Sequence, residues 1–185
     1  DLSRIRYFHT ANSAAILNFR ESHLDLVRPG LILYGLSPAS GVTIPQRPIL
    51  SLKSKVIALR RIAAGETIGY GRTFRAIRES VIATVPFGYA DGLRRSLSNR
   101  LEVEVCGKIC RVAGTISMDL CMLDVTDVAD QIHLDEEVTF IGPRTTAWDW
   151  ARLLDTIPYE ITCLIGARVP RVYIKDGQIC DVYYP

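Results

Sequence analysis

The sequence predicts a mainly β protein, an antiparallel β-barrel or sandwich preceded by a short section of mixed helix and strand. Three observations carry this. Apolar or alternating runs recur at Val81–Pro86, Leu101–Val105, Ile109–Gly114, Cys121–Val125 and Val138–Ile141, at the spacing expected of antiparallel strands. A longer alternating run, Ile49–Ile62, precedes them. Asp176-Gly177 stands between Val172–Ile174 and Ile179–Tyr183, which is the turn chemistry of a closing hairpin.

The elements follow in order. Ser13–Phe19 is a helix with Asn12 or Ser13 as N-cap, because short polar side chains accept from the first free amides. Leu24–Val27 and Leu31–Tyr34 are apolar extended runs of the kind expected for buried parallel strands. Ser37–Arg47, rich in Ser, Gly and Pro, reads as a linker, so the chain divides into residues 1–40 and 41–185. Ala64-Gly65-Glu66 turns the long alternating run toward Tyr70. Thr146, with Asp149 three residues on, caps a helix through Leu154. Pro158 opens a second one, since proline is tolerated in a first helical turn.

Composition excludes several classes. The chain has 185 residues with 22 basic and 20 acidic side chains, and no basic run fits a polyanion, so nucleic acid is not an expected partner. Apolar stretches such as Gly30–Leu36 fall far below the ~20 residues a membrane span needs, and no charged-then-apolar signal opens the chain. A cytoplasmic setting is the expectation. The odd set Cys106, Cys110, Cys121, Cys163 and Cys180 contains no C-x-x-C pair, and neither His23 nor His133 stands at zinc-ligand spacing. Reduced, buried thiols and no metal site are expected.

The chemistry begins at Ile68-Gly69-Tyr70-Gly71-Arg72-Thr73-Phe74. Glycine lets a backbone approach a ligand closely and reach φ > 0. A tyrosine held there can give or take a proton if its surroundings bring its pKa down from about 10. Taken alone, the motif equally describes an edge tyrosine in a Gly-rich hairpin. Its neighbours decide: His9-Thr10-Ala11-Asn12-Ser13, Arg28-Pro29-Gly30-Leu31, Pro86-Phe87-Gly88-Tyr89-Ala90-Asp91-Gly92-Leu93-Arg94-Arg95, Ser117-Met118-Asp119, Ile157-Pro158-Tyr159-Glu160 and Arg168-Val169-Pro170-Arg171.

In that order and at those separations, from about His9 to Tyr173, the chain resembles the C-terminal part of the alanine racemase family, fold-type III enzymes of pyridoxal phosphate (PLP). The resemblance implies a β-domain of the alanine racemase type over residues 41–185 and the end of an N-terminal (β/α)8 barrel over residues 1–40. It implies PLP as cofactor, L- and D-alanine as substrates, a homodimer formed through the C-terminal domain, and a role in peptidoglycan precursor synthesis. Family members carry their Schiff-base lysine on an early barrel strand. Lys53, Lys55, Lys108 and Lys175 stand in no such context, so the chain is expected to be a fragment that is inactive by itself.

The resemblance assigns roles residue by residue. Tyr70 is the catalytic base or acid for one face of Cα, reaching the PLP of a partner subunit. Arg28 donates to the pyridine nitrogen; since a guanidinium does not surrender its proton, that nitrogen stays unprotonated. His9 orients Arg28. Gly30 and Leu31 present amides to the phosphate, with the Ser13 hydroxyl beside them. Arg95 supports the phenolate, Met118 offers its amide to the substrate carboxylate, and Tyr89, Asp119 and Arg171 line the entrance. Tyr159 is matched to an inner-gate tyrosine that contacts the PLP phosphate and restricts the space beside the alanine methyl group. The loop Gly114-Thr115-Ile116-Ser117 departs from the family: an arginine is commoner at Thr115, a cysteine at Ser117, and a glutamine at Leu120. Two other readings stand beside this one, a non-catalytic dimerisation or lid module of a larger polypeptide and a related fold-type III PLP decarboxylase. The Gly-Tyr-Gly setting of Tyr70 argues against the second.

Overall fold

The computed structural model describes residues 4–39, 44 and 47–184. They fall in two compact units, Asp1–Leu50 and Ser51–Pro185. The expected boundary between Ser40 and Gly41, with much of the Ser37–Arg47 linker, lies outside the described residues.

In the first unit, β1 (His9–Asn12) runs parallel to β2 (Leu26–Arg28), with His9 opposite Leu26 and Asn12 opposite Arg28. Parallel neighbours need a crossover, and α1 (Ser13–Asn18) is part of it. Asn12 is the N-cap, accepting from the Ala15 amide at 3.0 Å. Two expectations need correction. Leu31–Tyr34 is a 3-10 turn and not a strand, because Gly30 and Gly35 bracket only four residues and Gly35 closes them at φ 69°. The strand expected at Leu24–Val27 starts later, since Leu24 itself takes the left-handed conformation at φ 48°. Leu26 and Val27 are exposed in this chain, not buried.

The second unit is built on a seven-stranded antiparallel sheet. Its strands are β3 (Leu52–Lys55), β4 (Ala58–Ile62), β7 (Ser80–Val85), β8 (Glu102–Val105), β9 (Lys108–Val112), β10 (Cys121–Asp124) and β11 (Glu137–Ile141), while β5 (Thr67–Ile68) and β6 (Phe74–Arg75) form a separate small hairpin. The sheet order is β3-β11-β8-β9-β10-β7-β4, which puts β3 and β4 at opposite ends. Yet only Val56 and Ile57 separate those two strands. The Val56 amide donates to Glu136 O at 3.0 Å, beside β11, and the Ile57 amide donates to Thr84 O at 2.9 Å, on β7. The long alternating run is thus one bent strand that pairs on both sides, and it closes the sheet into a barrel.

Alternation fills the barrel. Val56, Val85, Val103, Leu123, Val138 and Phe140 are fully buried. Phe87 meets Phe140 edge to face with ring centroids 4.7 Å apart, and the Trp150 indole donates to Phe140 O at 3.2 Å, so its polar end is satisfied in the core. Trp150 belongs to α2 (Ala147–Leu154), whose N-terminus carries the expected capping box of Thr146 and Asp149. α3 (Pro158–Leu164) begins at the expected proline. β12 (Arg171–Lys175) and β13 (Gln178–Tyr183) form the expected hairpin around Asp176-Gly177.

Candidate active site

The β5–β6 hairpin is what carries Tyr70. Ile68 and Phe74, with Met122, pack on a small buried cluster of Ile62, Ala76 and Ile82, which fixes the hairpin's base. Between them Gly69 and Gly71 take φ of 75° and 73°, values a side chain would strain. Gly69 also lies against the backbone of Thr115: a Cβ at Gly69 would stand 3.0 Å from the Thr115 amide nitrogen. Tyr70 is left at the tip with its side chain 74% exposed. Its carbonyl is not free, because the Thr115 hydroxyl donates to it at 2.8 Å.

The facing wall is made by two loops that interlock. The amides of Tyr89 and Ala90 donate to Ser117 O at 3.0 Å and Met118 O at 2.9 Å. Gly88 must be glycine here, since an added Cβ would sit 2.3 Å from Met118 O. Asp91 is buried and accepts from the Gly88 amide at 2.8 Å. Arg168 then joins the two loops, donating from Nε to Asp91 at 2.7 Å and from Nη2 to Asp119 at 2.6 Å. Hydrogen bonding to these carboxylates, Asp91 first, raises the pKa of a guanidinium that is always charged.

Together these walls enclose an open cleft of about 510 Å³ lined by Tyr70, Tyr89, Arg95, Met118 and Asp119, with Thr115 at its floor. Five residues singled out in the sequence therefore share one cleft. Within it the Arg95 guanidinium has no hydrogen bond or ion pair among the described residues. The Met118 amide likewise donates to none of them, so both remain able to meet an anionic group.

Other sequence-predicted residues lie elsewhere. Arg171 donates to the carbonyls of Val169, Ile165 and Gly166 at 2.7, 3.1 and 3.3 Å, which makes it a clamp on its own loop. Tyr159 sits in the first turn of α3 and does not line the cleft. Lys53 is paired with Glu137 at 2.7 Å and Lys108 donates to Asp127 O at 2.9 Å, and no lysine lines the cleft.

The first unit gathers the remaining candidates. Arg28 Nη1 lies 2.6 Å from His9 Nδ1, and since guanidinium only donates, Nδ1 is the acceptor and the ring hydrogen sits on Nε2. Arg28 also donates to His9 O and Thr10 O at 3.1 Å each, so its plane is fixed. The Gly30 amide donates to the buried Ser13 Oγ at 2.9 Å. That leaves the Ser13 hydroxyl hydrogen and the Leu31 amide, which at the start of a 3-10 turn has no acceptor among the described residues, as donors for a phosphate. A serine hydroxyl, a free amide and a fixed guanidinium are a donor set that suits PLP.

All five cysteines are free. Burial pushes Cys110 up to about 11 and raises Cys121 as well, as expected for thiols in a core, but Cys163 and Cys180 are exposed, against expectation. No group of three or more potential metal ligands occurs among the described residues. Three working residues were missed in the sequence: Asn99, Asp91 and Arg168. Asn99 carried one signal, since asparagine tolerates the left-handed conformation it takes at φ 58°.

Residues 49–173 match the family model described as "Alanine racemase, C-terminal domain", and residues 1–38 match "Alanine racemase, N-terminal domain". The alanine racemase of Clostridium novyi is 45% identical over 94% of this chain and 47% of its own length, and that of Sorangium cellulosum is 47% identical over 91% and 46%. Among solved structures, the Bacillus anthracis alanine racemase with bound L-Ala-P superposes with a TM-score of 0.89 at 37% identity, over 96% of this chain and 47% of that one. The Clostridium difficile enzyme in complex with cycloserine gives 0.89 at 36% identity, over 95% and 48%. The chain spans about half the length of the relatives it matches.

Proposed function

The chain belongs to the alanine racemase family, and on that premise we propose that it supplies the C-terminal portion of a PLP-dependent homodimeric enzyme interconverting L- and D-alanine. The observation that carries this reading is the cleft that unites Tyr70, Arg95 and the Met118 amide. The parallel β1–β2 pair and the exposed Phe8, Phe19, Leu26 and Leu33 support a further point, that residues 1–40 are the end of a barrel whose remainder would cover them. No described helix is long and apolar enough to cross a membrane.

Racemisation needs a base on one face of Cα and an acid on the other, because a proton returned to the face it left regenerates the starting enantiomer. PLP, when bound, supplies the electron withdrawal that makes the Cα proton removable. Tyr70 serves one face: its phenol is open to the cleft while its main chain is anchored. Arg95, a cation with no partner among the described residues, lines the same cleft as the Tyr70 phenol. The Met118 amide receives the substrate carboxylate, and Tyr89 and Asp119 narrow the opening, Asp119 held in place by Arg168. Ser13 and Leu31 would hold the phosphate of PLP, and Arg28, fixed by His9, would offer its pyridine nitrogen a donor that does not surrender its proton. The base for the other face is the lysine of the barrel, absent from this chain.

The test is a chimera in which the first half of the Clostridium novyi relative precedes this chain. It should bind PLP and racemise alanine, whereas the 185-residue chain alone should do neither. A folded, PLP-bound chimera without racemase activity would overturn the reading in favour of a dimerisation or lid module.

A further inference from the structure

Three side chains from distant parts of the sequence form a hydrogen-bond chain that ends on a main-chain carbonyl of the catalytic loop. Asn99 Oδ1 accepts from the Gly114 amide at 2.6 Å, which fixes the orientation of the Asn99 amide and leaves Nδ2 as the donor. That Nδ2 lies 3.1 Å from Thr73 Oγ1. Thr73 Oγ1 lies 3.1 Å from Thr115 Oγ1, where either hydroxyl is free to donate. The far end settles the direction. Thr115 donates its only hydroxyl hydrogen to Tyr70 O at 2.8 Å, so Thr73 must donate to Thr115. The result is a one-way series, Asn99 N–H to Thr73 O–H to Thr115 O–H to the Tyr70 carbonyl.

Such a series is cooperative, because each donated hydrogen bond polarises the next donor. It is also sheltered: Thr115 is buried. Two close backbone approaches seat it, for a Cβ at Gly69 would meet the Thr115 amide at 3.0 Å and one at Gly114 would meet Ile68 O at 3.1 Å. Tyr70 opens a 3-10 turn with its phenol projecting into the cleft, and the Thr115 hydroxyl is the side chain that holds its main chain from outside that turn. We infer that Thr115, relayed by Thr73 and Asn99, is the positioning residue of Tyr70: it fixes the catalytic phenol through the main-chain carbonyl, from a position where the family commonly carries an arginine. The inference rests on the reading of Tyr70 as the group that moves a proton at Cα.

The Tyr70 carbonyl and the Gly71 N–H belong to one peptide plane, so the mobility of the Gly71 amide reports the anchor directly. In the 185-residue chain, Thr115→Val should lower the Gly71 order parameter from ~0.85 to below ~0.6, while Thr115→Ser, which keeps the hydroxyl, should not. Thr73→Val, which cuts the series one link earlier, should have a smaller effect of the same sign. In the chimera, Thr115→Val should lower kcat by about 10- to 100-fold with KM little changed, and Thr115→Ser should restore it. Equal order parameters in parent and Thr115→Val would overturn the positioning role whatever the activity. A loosened Gly71 with an inactive parental chimera would instead leave the positioning role standing and sink the racemase reading. Should Thr115→Val fail to fold, Thr73→Val and Thr115→Ser decide by the same two readouts.

Discussion

Arg168 and Asp91 stand 77 residues apart in the sequence and 2.7 Å apart in space, and through Arg168 the buried Asp91 is tied to Asp119 on the cleft wall. The Asp91 arm is sheltered and the Asp119 arm is solvent-exposed, so the two differ in how far salt screens them. Arg168→Gln should therefore speed hydrogen exchange at the Tyr89 and Ala90 amides, which bond to Ser117 and Met118, by a few-fold. Asp119→Asn should do less, and added salt should diminish only the Asp119 contribution. Unchanged exchange in Arg168→Gln would show that the loops hold each other without it.

Gly88→Ala tests the same wall by bulk instead of charge. The new methyl carbon would fall 2.3 Å from Met118 O and 2.6 Å from the Asp119 nitrogen, backbone atoms that cannot rotate away. Overpacking of this kind typically costs 1–3 kcal/mol, at times more, so about 2 kcal/mol is expected in urea unfolding. Activity of the chimera should fall with it, because the displaced residues include Met118. A stability loss under about 0.5 kcal/mol would mean that the loop yields freely.

Tyr70→Phe in the chimera removes the proton transfer on one face of Cα. The loss expected is about 10²–10⁴-fold. Since the two enantiomers are equal in free energy, kcat/KM must fall equally in both directions. Deuterium from solvent should still enter one enantiomer without inversion, through the base on the opposite face. Entry into both enantiomers would remove Tyr70 from the reaction.

The cysteines give a pH prediction. Burial raises the Cys110 thiol from 9.0 to about 11, so the unfolded chain loses this proton first as pH rises. The stability tied to the buried thiol is fully present below pH 9 and is lost as pH climbs toward 11, at up to about 1.4 kcal/mol per pH unit for each such thiol. Urea midpoints measured across that interval should fall, and less so in Cys110→Ala. At neutral pH a thiol reagent should label Cys163 and Cys180 in the native chain but reach Cys110 and Cys121 only on unfolding.

What was legible in the sequence was local or carried by motif. The Thr146–Asp149 cap and the Pro158 helix start depend on residues within one turn of each other, and the structure has both. The group Tyr70, Tyr89, Arg95, Met118 and Asp119 was legible through family resemblance. Leu31–Tyr34 was misread because four apolar residues have no period to tell a strand from a 3-10 turn. The roles of Asn99 and Arg168 were not legible for a different reason: their partners are Thr73, Gly114, Asp91 and Asp119, contacts that only the fold creates.

The bend at Val56 and Ile57 makes alignment a property of the whole ring. A one-residue slip of β3 against β11 cannot happen alone, because the same step is passed through two residues to β4 and so to its pairing with β7. With a side-chain period of two, that slip would turn both halves of the strand inside out at once. Misalignment is thereby all or none. Since β4 runs on into the hairpin that bears Tyr70, the height of the phenol in the cleft is set in part by a ladder at the opposite end of the sheet order.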